Sequence, residues 1–536
     1  MSETRSSVLR VEEPGAKYLD AAESGLMRSF QELATAPRGV ARLRELVLAM
    51  AVRGRLTTRS DADGSVDVLL DEIGRLRKLS VRVSAGEEVP FALPTHWRWV
   101  KLGELGRVVG GGTPKSGDTS MWAVAGHSWL TPADLYGLKV KAIGRGRRDI
   151  SIRGLNESSA QLLPTGTVLF SSRAPIGYVA IAANPLATNQ GFKSCVLHIS
   201  EVGDYLYWYL KHAARSIDAV ASGTTFKEIS GAQFARIWVP LPPLAEQHRI
   251  VARVEELMKL CDALEQNGRL ADEQHARLTS TLFDALAASE SAHALADNWQ
   301  RVAEHFDLLL DRPEAVDAFE QTVLQLAVRG LLVPKQRSCD EWPQAAMGDA
   351  VELLNGYAFK SEWFRSTGVR LVRNVNVAHG ALDWGEKACV DESVARELSR
   401  FALSEGDVLV SLDRPIISTG LKYAKVRLQD MPCLLLQRVA RLKPHASVLT
   451  HEYLELWLNS PDFIKSIDPG RSNGVPHIST RQLQALSLSL PPLAEQHRIV
   501  ARVEELRGLC AQLRERLTDA RRTQSQLADA LVAEIV

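Results

Sequence analysis

No apolar run in the chain approaches the eighteen or so residues that a membrane span requires. Its opening letters, MSETRSSVLRVEEPG, lack the apolar core of a secretory signal, so the expected location is cytoplasmic, with no membrane partner. Cysteine is scarce: Cys195, Cys261, Cys339, Cys389, Cys433 and Cys510 are scattered, with no CxxC pair and no Cys/His spacing suited to a metal. Neither a disulfide framework nor a metal site is expected. Catalytic signatures are missing too: no Asn/Asp-Pro-Pro-aromatic segment, no glycine loop of the S-adenosylmethionine type, no Walker A loop and no Asp…Glu-x-Lys nuclease cluster. These absences exclude methyl transfer, nucleotide hydrolysis and strand cleavage by this chain, and no catalytic residue is assigned.

Net charge is absent as well, with 64 Lys+Arg against 64 Asp+Glu, but it is unevenly spread. Residues 91–243 carry 16 basic and 9 acidic side chains, a balance of +7, whereas residues 338–492 carry 17 and 18, a balance of −1. Any phosphate binding in the second stretch must therefore come from local placement of charge.

What the chain does have is a repeat. Residues 241–257 read LPPLAEQHRIVARVEEL and residues 490–506 read the same seventeen letters, 249 positions later. The register can be followed backwards with small drifts, as surface indels produce: Lys115-Ser116 onto Lys360-Ser361 at 245, GTVLFS at Gly166 onto GDVLVS at Gly406 at 240, and Ile229-Ser230 onto Ile478-Ser479 at 249. LAMAVRG ending at Gly54 pairs with LQLAVRG ending at Gly330, 276 later. The unit is a leading helix, a globular domain, a Pro-Pro turn and a long trailing helix, used twice. The domains are placed at 1–94 (N-terminal helical region), 95–243, 244–338 (central helical spacer), 339–492 and 493–536 (C-terminal spacer helix).

Local pattern fills in this frame. Residues 1–38 read as loose, with a short helix over 18–33. Leu43, Leu46, Val47, Met50 and Ala51 recur at helical spacing, with Gly54 as a stop. Residues 57–94 are an insertion absent from the second half, and LLDEIGRLRKL within it is one more helix. From 95 to 240, β-rich runs at 167–171 and 178–182 are broken by Gly, Pro, Asn and Ser, which predicts an α+β domain, and residues 340–489 repeat the pattern.

After each Pro-Pro pair, which forces an extended approach, the apolar residues step by 4 and 3: Ile250, Val254, Leu257, Cys261 and Leu264, then Ile499, Val503, Leu506, Cys510, Leu513 and Leu517. That is the period of a coiled-coil seam. Asn267-Gly268 is expected to kink or end the first rod before Leu278, Leu282 and Leu286 restart it. In the second rod, Leu527 and Leu531 resume the step after Ala520 and Gln524. Two such seams can bury each other antiparallel within one chain, giving a pseudo-two-fold molecule with a globular domain near each end of a rod of roughly 60 Å. Two unlike modules at a fixed spacing suit double-stranded DNA, because they can read an asymmetric site in two parts.

The motifs PFALPTHWRWVKLGELGRVVGGGTPKS (90–116), LFSSRAPIGYVAI (169–181), ATNQGFKS (187–194), the twice-used LPPLAEQHRIV and the AVRGxL closing each leading helix together resemble the specificity subunit of type I restriction-modification systems. The resemblance implies two target-recognition domains, each reading one part of a bipartite DNA site. It also implies docking of two adenine-methyltransferase (modification) subunits and of ATP-dependent restriction subunits. S-adenosylmethionine, ATP and Mg then belong to the partners, and none is bound by this chain. In the second domain SLDRPIIS replaces SSRAPIG and no clear TNQGF is found. A different class of function, a coiled-coil scaffold bridging protein partners without reading DNA, is favoured only by the near-neutral second domain.

Candidate DNA contacts follow from residue type and place. Lys115 and Ser116, with Lys360 and Ser361, sit in loops where an ammonium and hydroxyl can meet phosphate. Lys139, Lys141, Arg147 and Arg148 form a basic run. Arg173, and Arg414 as its looser counterpart, precede the turn prolines, where a guanidinium can read guanine or clamp phosphate. Lys193, Arg373 and Asn374 lie near strand ends. Thr224, Thr225 and Lys227 in the first domain, and Arg471, Asn473 and His477 in the second, occupy matching loops. His248 and His497 have no nucleophile or carboxylate at catalytic spacing and read as interface or capping residues.

Overall fold

The structure, a computed structural model, describes residues 33–84, 88–221, 227–333, 342–417, 420–467 and 477–535. The helix expected over 18–33 lies almost wholly outside them. The chain forms two compact units, Met1–Arg269 with Arg521–Val536, and Leu270–Ala520. Each unit thus takes the start of one trailing helix and the end of the other.

In the first unit the leading helix, Gly39–Val52, buries Leu43, Leu46, Val47 and Met50. It stops as AVRG predicts: Gly54 is left-handed at φ 70, and Arg55 N–H closes onto Met50 O at 2.9 Å. A Cβ at Gly54 would lie 2.6 Å from Pro94. The second leading helix, Pro313–Val328, ends the same way, with Gly330 at φ 73 and Leu331 N–H on Leu326 O at 2.9 Å. The insertion helix, Val66–Arg77, is capped by Ser65 and buries Leu69, Leu70 and Ile73.

The first domain is built on a five-stranded sheet in the order Gly106–Gly110, Lys193–Leu197, Val168–Ser172, Ile176–Ala182, Ala142–Ile143. The helix Gly203–Val220 covers one face with Tyr205, Leu206, Tyr209 and Leu210. The second domain repeats it: Val351–Asn355, Val439–Pro444, Val408–Ser411, Tyr423–Lys425, His379–Gly380. Each domain closes on a strand before the proline pair, Trp238–Leu241 on Arg98–Lys101 and Ser487–Ser489 on Gln344–Ala346. The repeated AEQ then ties its helix back to the proline pair: buried Gln247 donates to Pro242 O at 2.9 Å and Gln496 to Pro491 O at 2.8 Å.

The trailing helices correct three expectations. First, Leu244–Ala287 is one uninterrupted helix of 44 residues, so Asn267-Gly268 neither ends nor restarts it. A mid-helix glycine costs only about 1 kcal/mol, and burial of Cys261 on one side and of Phe283 and Leu286 on the other outweighs that. Second, the buried face does not keep a 3.5-residue step. Ile250, Val254, Leu257 and Cys261 are buried, and burial resumes at Thr279, eighteen residues after Cys261, followed by Phe283 and Leu286, while Leu278 is 46% exposed. In the second helix, Leu493–Ile535, Ile499, Val503 and Cys510 are buried and burial resumes at Ala528, again eighteen residues on, with Leu527 56% exposed. Eighteen residues are five turns at 3.6, so the face follows a straight helix and a strict heptad slips off it. Leu264, Leu506, Leu513 and Leu517 are partly buried along it.

Third, the leading helix is part of the same packing, so the seams are not covered by each other alone. In the first unit Arg44 bonds Asp262 and Glu265 on one trailing helix, while Arg42 bonds Ser525 and Asp529 on the other. In the second unit Glu320 meets Arg507 and Arg514, and Arg312 meets Asp272.

Candidate nucleic-acid interface

In each domain the middle strand of the sheet, Val168–Ser172 or Val408–Ser411, runs into a proline turn whose backbone is tied to two neighbouring segments. Ser172 N–H donates to Gly191 O at 2.7 Å, and Ser172 O accepts from Ile229 N–H at 3.1 Å. In the second domain Leu412 N–H donates to Arg438 O at 2.8 Å, and Leu412 O accepts from Ile478 N–H at 3.0 Å. These matched bonds fix the equivalences. Arg173 corresponds to Asp413, Ala174 to Arg414, Gly191 to Arg438 and Glu228 to His477; the pairs Arg173/Glu228 and Asp413/His477 each form a β-bridge. Arg414 is therefore the counterpart of Ala174, not of Arg173.

The same register locates the motif that the second half lacked by eye. Thr188 to Phe192 superimpose on Leu435, Leu436, Gln437, Arg438 and Val439, because Gly112 N–H donates to Thr188 O at 2.8 Å and Tyr357 N–H to Leu435 O at 3.0 Å. The glycine-rich run has its reason here: a Cβ at Gly111 would lie 1.9 Å from Asn189 O, and one at Gly356 would lie 2.1 Å from Leu436 O. Those glycines let one loop pass over another.

Around each turn one carboxylate lies between two polar partners, at position 228 in the first domain and at the equivalent of Arg173, Asp413, in the second. In the first domain Glu228 lies 3.8 Å from Arg173 and 3.0 Å from Lys193. In the second, Asp413 lies 2.9 Å from His477 Nδ1 and 3.9 Å from Arg438. Two arginines here, Arg414 at φ 49 and Arg438 at φ 74, are left-handed, a region that side chains with a Cβ rarely occupy. Lys227, on the neighbouring segment, is 3.6 Å from Asp218. Thr224, Thr225, Arg471 and Asn473 lie outside the described residues.

Other candidates fall away from this cluster or turn inward. Lys141 is clamped between Glu255 at 2.6 Å and Asp204 at 2.9 Å; burial alone would lower its pKa, but these two carboxylates hold it above the usual lysine value. It anchors the domain to the trailing helix. Arg148 lies 3.5 Å over the Trp122 ring, whereas Lys139 and Arg147 are exposed, Arg147 reaching only to 3.9 Å from Asp134. Lys115, Ser116, Lys360 and Ser361 are exposed, with Lys360 5.5 Å over the Trp363 ring. Arg373 bonds Glu386 O at 2.9 Å, and Asn374 Oδ1 accepts from Lys422 at 2.7 Å, so both stabilise their own loop. Burial lowers the Lys422 pKa. His248 and His497 are exposed, and it is Gln247 and Gln496 that bond back to the proline pairs.

The sequence reading missed Arg438, Asp413 and Glu228. The sequence signal is slight: between offsets of 240 at the turn and 248 at Tyr453, the one shared letter of the motif is Gln437, 247 after Gln190. Among the described residues no group of three or more His, Cys, Asp or Glu could hold a metal, and no helix is long and apolar enough to cross a membrane.

The family described as "Type I restriction modification DNA specificity domain" matches residues 94–272 and again 340–520. The chain is similar to the type I restriction enzyme EcoAI specificity subunit of Escherichia coli, 35% identical over an alignment of 564 residues that covers 92% of this chain and 93% of that protein. The EcoEI specificity subunit of Escherichia coli is 25% identical over 92% of this chain and 93% of its own length. A solved structure from work on assembly and conformational transition of the type I R-M system shares the fold, with a TM-score of 0.50 at 18% identity over 83% of this chain and 99% of that one. With both matched segments together spanning well over half of its length, this chain belongs to the family of type I restriction-modification DNA specificity proteins.

Proposed function

We propose that this chain reads an asymmetric DNA site in two parts, one with each β-rich domain, and that it does so as a non-catalytic cytoplasmic subunit. Two adenine-methyltransferase subunits dock on it and bring S-adenosylmethionine, and restriction subunits add ATP- and Mg-dependent translocation and cleavage. The observation that carries the reading is the pair of equivalent proline turns. Two backbone hydrogen bonds and a β-bridge anchor both in the same way, while the side chains at matching positions are Arg173 and Glu228 in one and Asp413 and His477 in the other. Equal scaffolds bearing unlike polar side chains are what two readers of unlike half-sites require.

Single-molecule sequencing of host DNA tests the proposal: N6-methyladenine should lie in a two-part motif that disappears when the gene for this chain is deleted. An unchanged methylation pattern in the deletion strain would refute it. The second reading, a scaffold bridging protein partners, draws support from the −1 balance of residues 338–492. It predicts that the purified chain, with its accompanying subunits, retains no duplex at any salt concentration.

A further inference from the structure

We propose that Arg438 is a specificity-determining residue of the second domain and contacts a guanine in its half-site. The proposal rests on the DNA-reading function above and concerns one residue within it.

The backbone at Arg438 is left-handed, φ 74, and an L side chain there brings its Cβ against the neighbouring carbonyl. Glycine takes such a φ without that crowding; the first domain accepts the equivalent hydrogen bond on Gly191 O, where the backbone is not left-handed. A glycine would thus satisfy the fold, yet an arginine is kept at a conformational cost. Nothing in the core repays it: the side chain is 60% exposed, and its ion-pair partner is Asp413 at 3.9 Å, itself bonded to His477 at 2.9 Å. One shared carboxylate at that distance limits the rotamers of the guanidinium without covering its N–H groups. Strain at an exposed, pre-oriented cation points to a ligand.

Comparing the two domains position by position indicates which part of DNA that ligand is. Lys115 and Lys360, Ser116 and Ser361, and Gln190 and Gln437 are identical between otherwise unlike domains, and all are exposed. They suit what both half-sites share, the sugar-phosphate backbone. Gly191 and Arg438, Arg173 and Asp413, and Glu228 and His477 differ, and they suit what distinguishes the half-sites, the bases. For arginine the matching edge is guanine, whose N7 and O6 accept two N–H groups in the major groove.

The test uses the full chain, purified with the subunits that accompany it, to select duplexes from a randomised pool. Arg438→Gly installs the residue of the sister domain, and Arg438→Lys keeps the charge but loses the two-pronged donor. The expected result for Arg438→Gly is a Tm equal to or above that of the native protein. Affinity for the native site should fall roughly 10- to 100-fold, with preference lost at one base pair of the second half-site and none lost in the first. Arg438→Lys should lose the same preference while the salt dependence stays unchanged. Preserved preference at every position would overturn the proposal. So would a uniform loss of affinity with a shallower salt slope, which marks a phosphate contact, and so would a lowered Tm, which marks a structural role. If the native protein selects no sequence at all, the DNA-reading function itself fails, an outcome distinct from selection that is indifferent to Arg438.

Discussion

The apolar faces of the two trailing helices cannot tell the two leading helices apart. Ile250, Val254, Leu257, Cys261 and Leu264 are matched letter for letter by Ile499, Val503, Leu506, Cys510 and Leu513. The surrounding charges can. Arg44 lies 2.6 Å from both Asp262 and Glu265; at the repeat-equivalent positions, Glu320 lies 3.0 Å from Arg514, with the signs reversed. At these positions each leading helix thus attracts the start of its own trailing helix and would repel the equivalent stretch of the other. Arg44→Glu converts two attractions into two repulsions. Asp262 and Glu265 are 71% and 63% exposed, so solvent screens each pair to about 0.2–1 kcal/mol, and repulsion of similar size brings the total to about 1–2 kcal/mol. For a unit of this size that is a Tm loss of about 2–8 °C, to be read by calorimetry of the full chain at low salt and to shrink at high salt. Adding Asp262→Ala and Glu265→Arg reproduces the second-half pattern, in which Ala511 and Arg514 stand at those places, and should restore most of the loss. A triple variant no more stable than Arg44→Glu would refute the pairing argument, because the cycle isolates the interaction from the substitution.

Gly54→Ala and Gly330→Ala place a Cβ at positive φ and within 2.6–2.7 Å of Pro94 or Trp342; each should cost more than about 1 kcal/mol in chemical denaturation. Gly268→Ala has the opposite sign: its Cβ meets nothing within 4 Å, so the continuous helix should gain about 0.8–1 kcal/mol, and a loss would mean that the helix bends there. Lys141→Met should lower stability by about 1 kcal/mol without changing the salt slope of DNA binding, whereas Arg147→Ala should leave stability intact and reduce that slope by about 1. Burial holds the Cys195 and Cys433 thiols at about 12 against an ordinary 9.0. The unfolded chain therefore loses these protons first, and stability should fall between pH 9 and 12 by about 1.4 kcal/mol per pH unit for each thiol. Replacement of either by Ala should flatten that fall, and an unchanged profile would count against the burial.

What was legible in the letters was whatever local chemistry determines. AVRG needs a left-handed glycine, LPPLAEQ ties its helix back to the proline pair, and the β-rich run around Val168 builds a central strand buried at every position. The seam was legible for about three turns, where 3.5- and 3.6-residue periods nearly coincide; by eighteen residues they disagree by about half a residue, and the step expected to resume at Leu527 falls instead on Ala528, which is the buried residue. The turn at Asn267-Gly268 was overread because propensity is weak beside tertiary packing. Arg438 was hidden for another reason. Four of the five letters of TNQGF have changed in the second domain, and what survives is a backbone path held by hydrogen bonds, which leaves no mark on side-chain identity.

The −1 balance of the second domain also reads differently once positions are known. A phosphate does not feel the sum over residues 338–492, because at about 0.1 M salt the screening length is about 10 Å. Only charges within roughly that distance matter. Among the described residues around the second turn, Arg438 lies 3.9 Å from Asp413, and Lys422 feels both Asp413 and Arg414. Acidic residues such as Glu392 and Glu397 lie on a separate short helix, Glu392–Glu397, where Glu392 pairs with Arg396 at 3.0 Å. The first domain spreads its excess, with Arg145 on Asp149 and Lys141 on Glu255 using up part of it. A domain that is neutral as a whole can thus present as much local positive charge to DNA as one carrying +7, and the salt slope of each half-site, not the formal charge of each domain, is the quantity that ranks them.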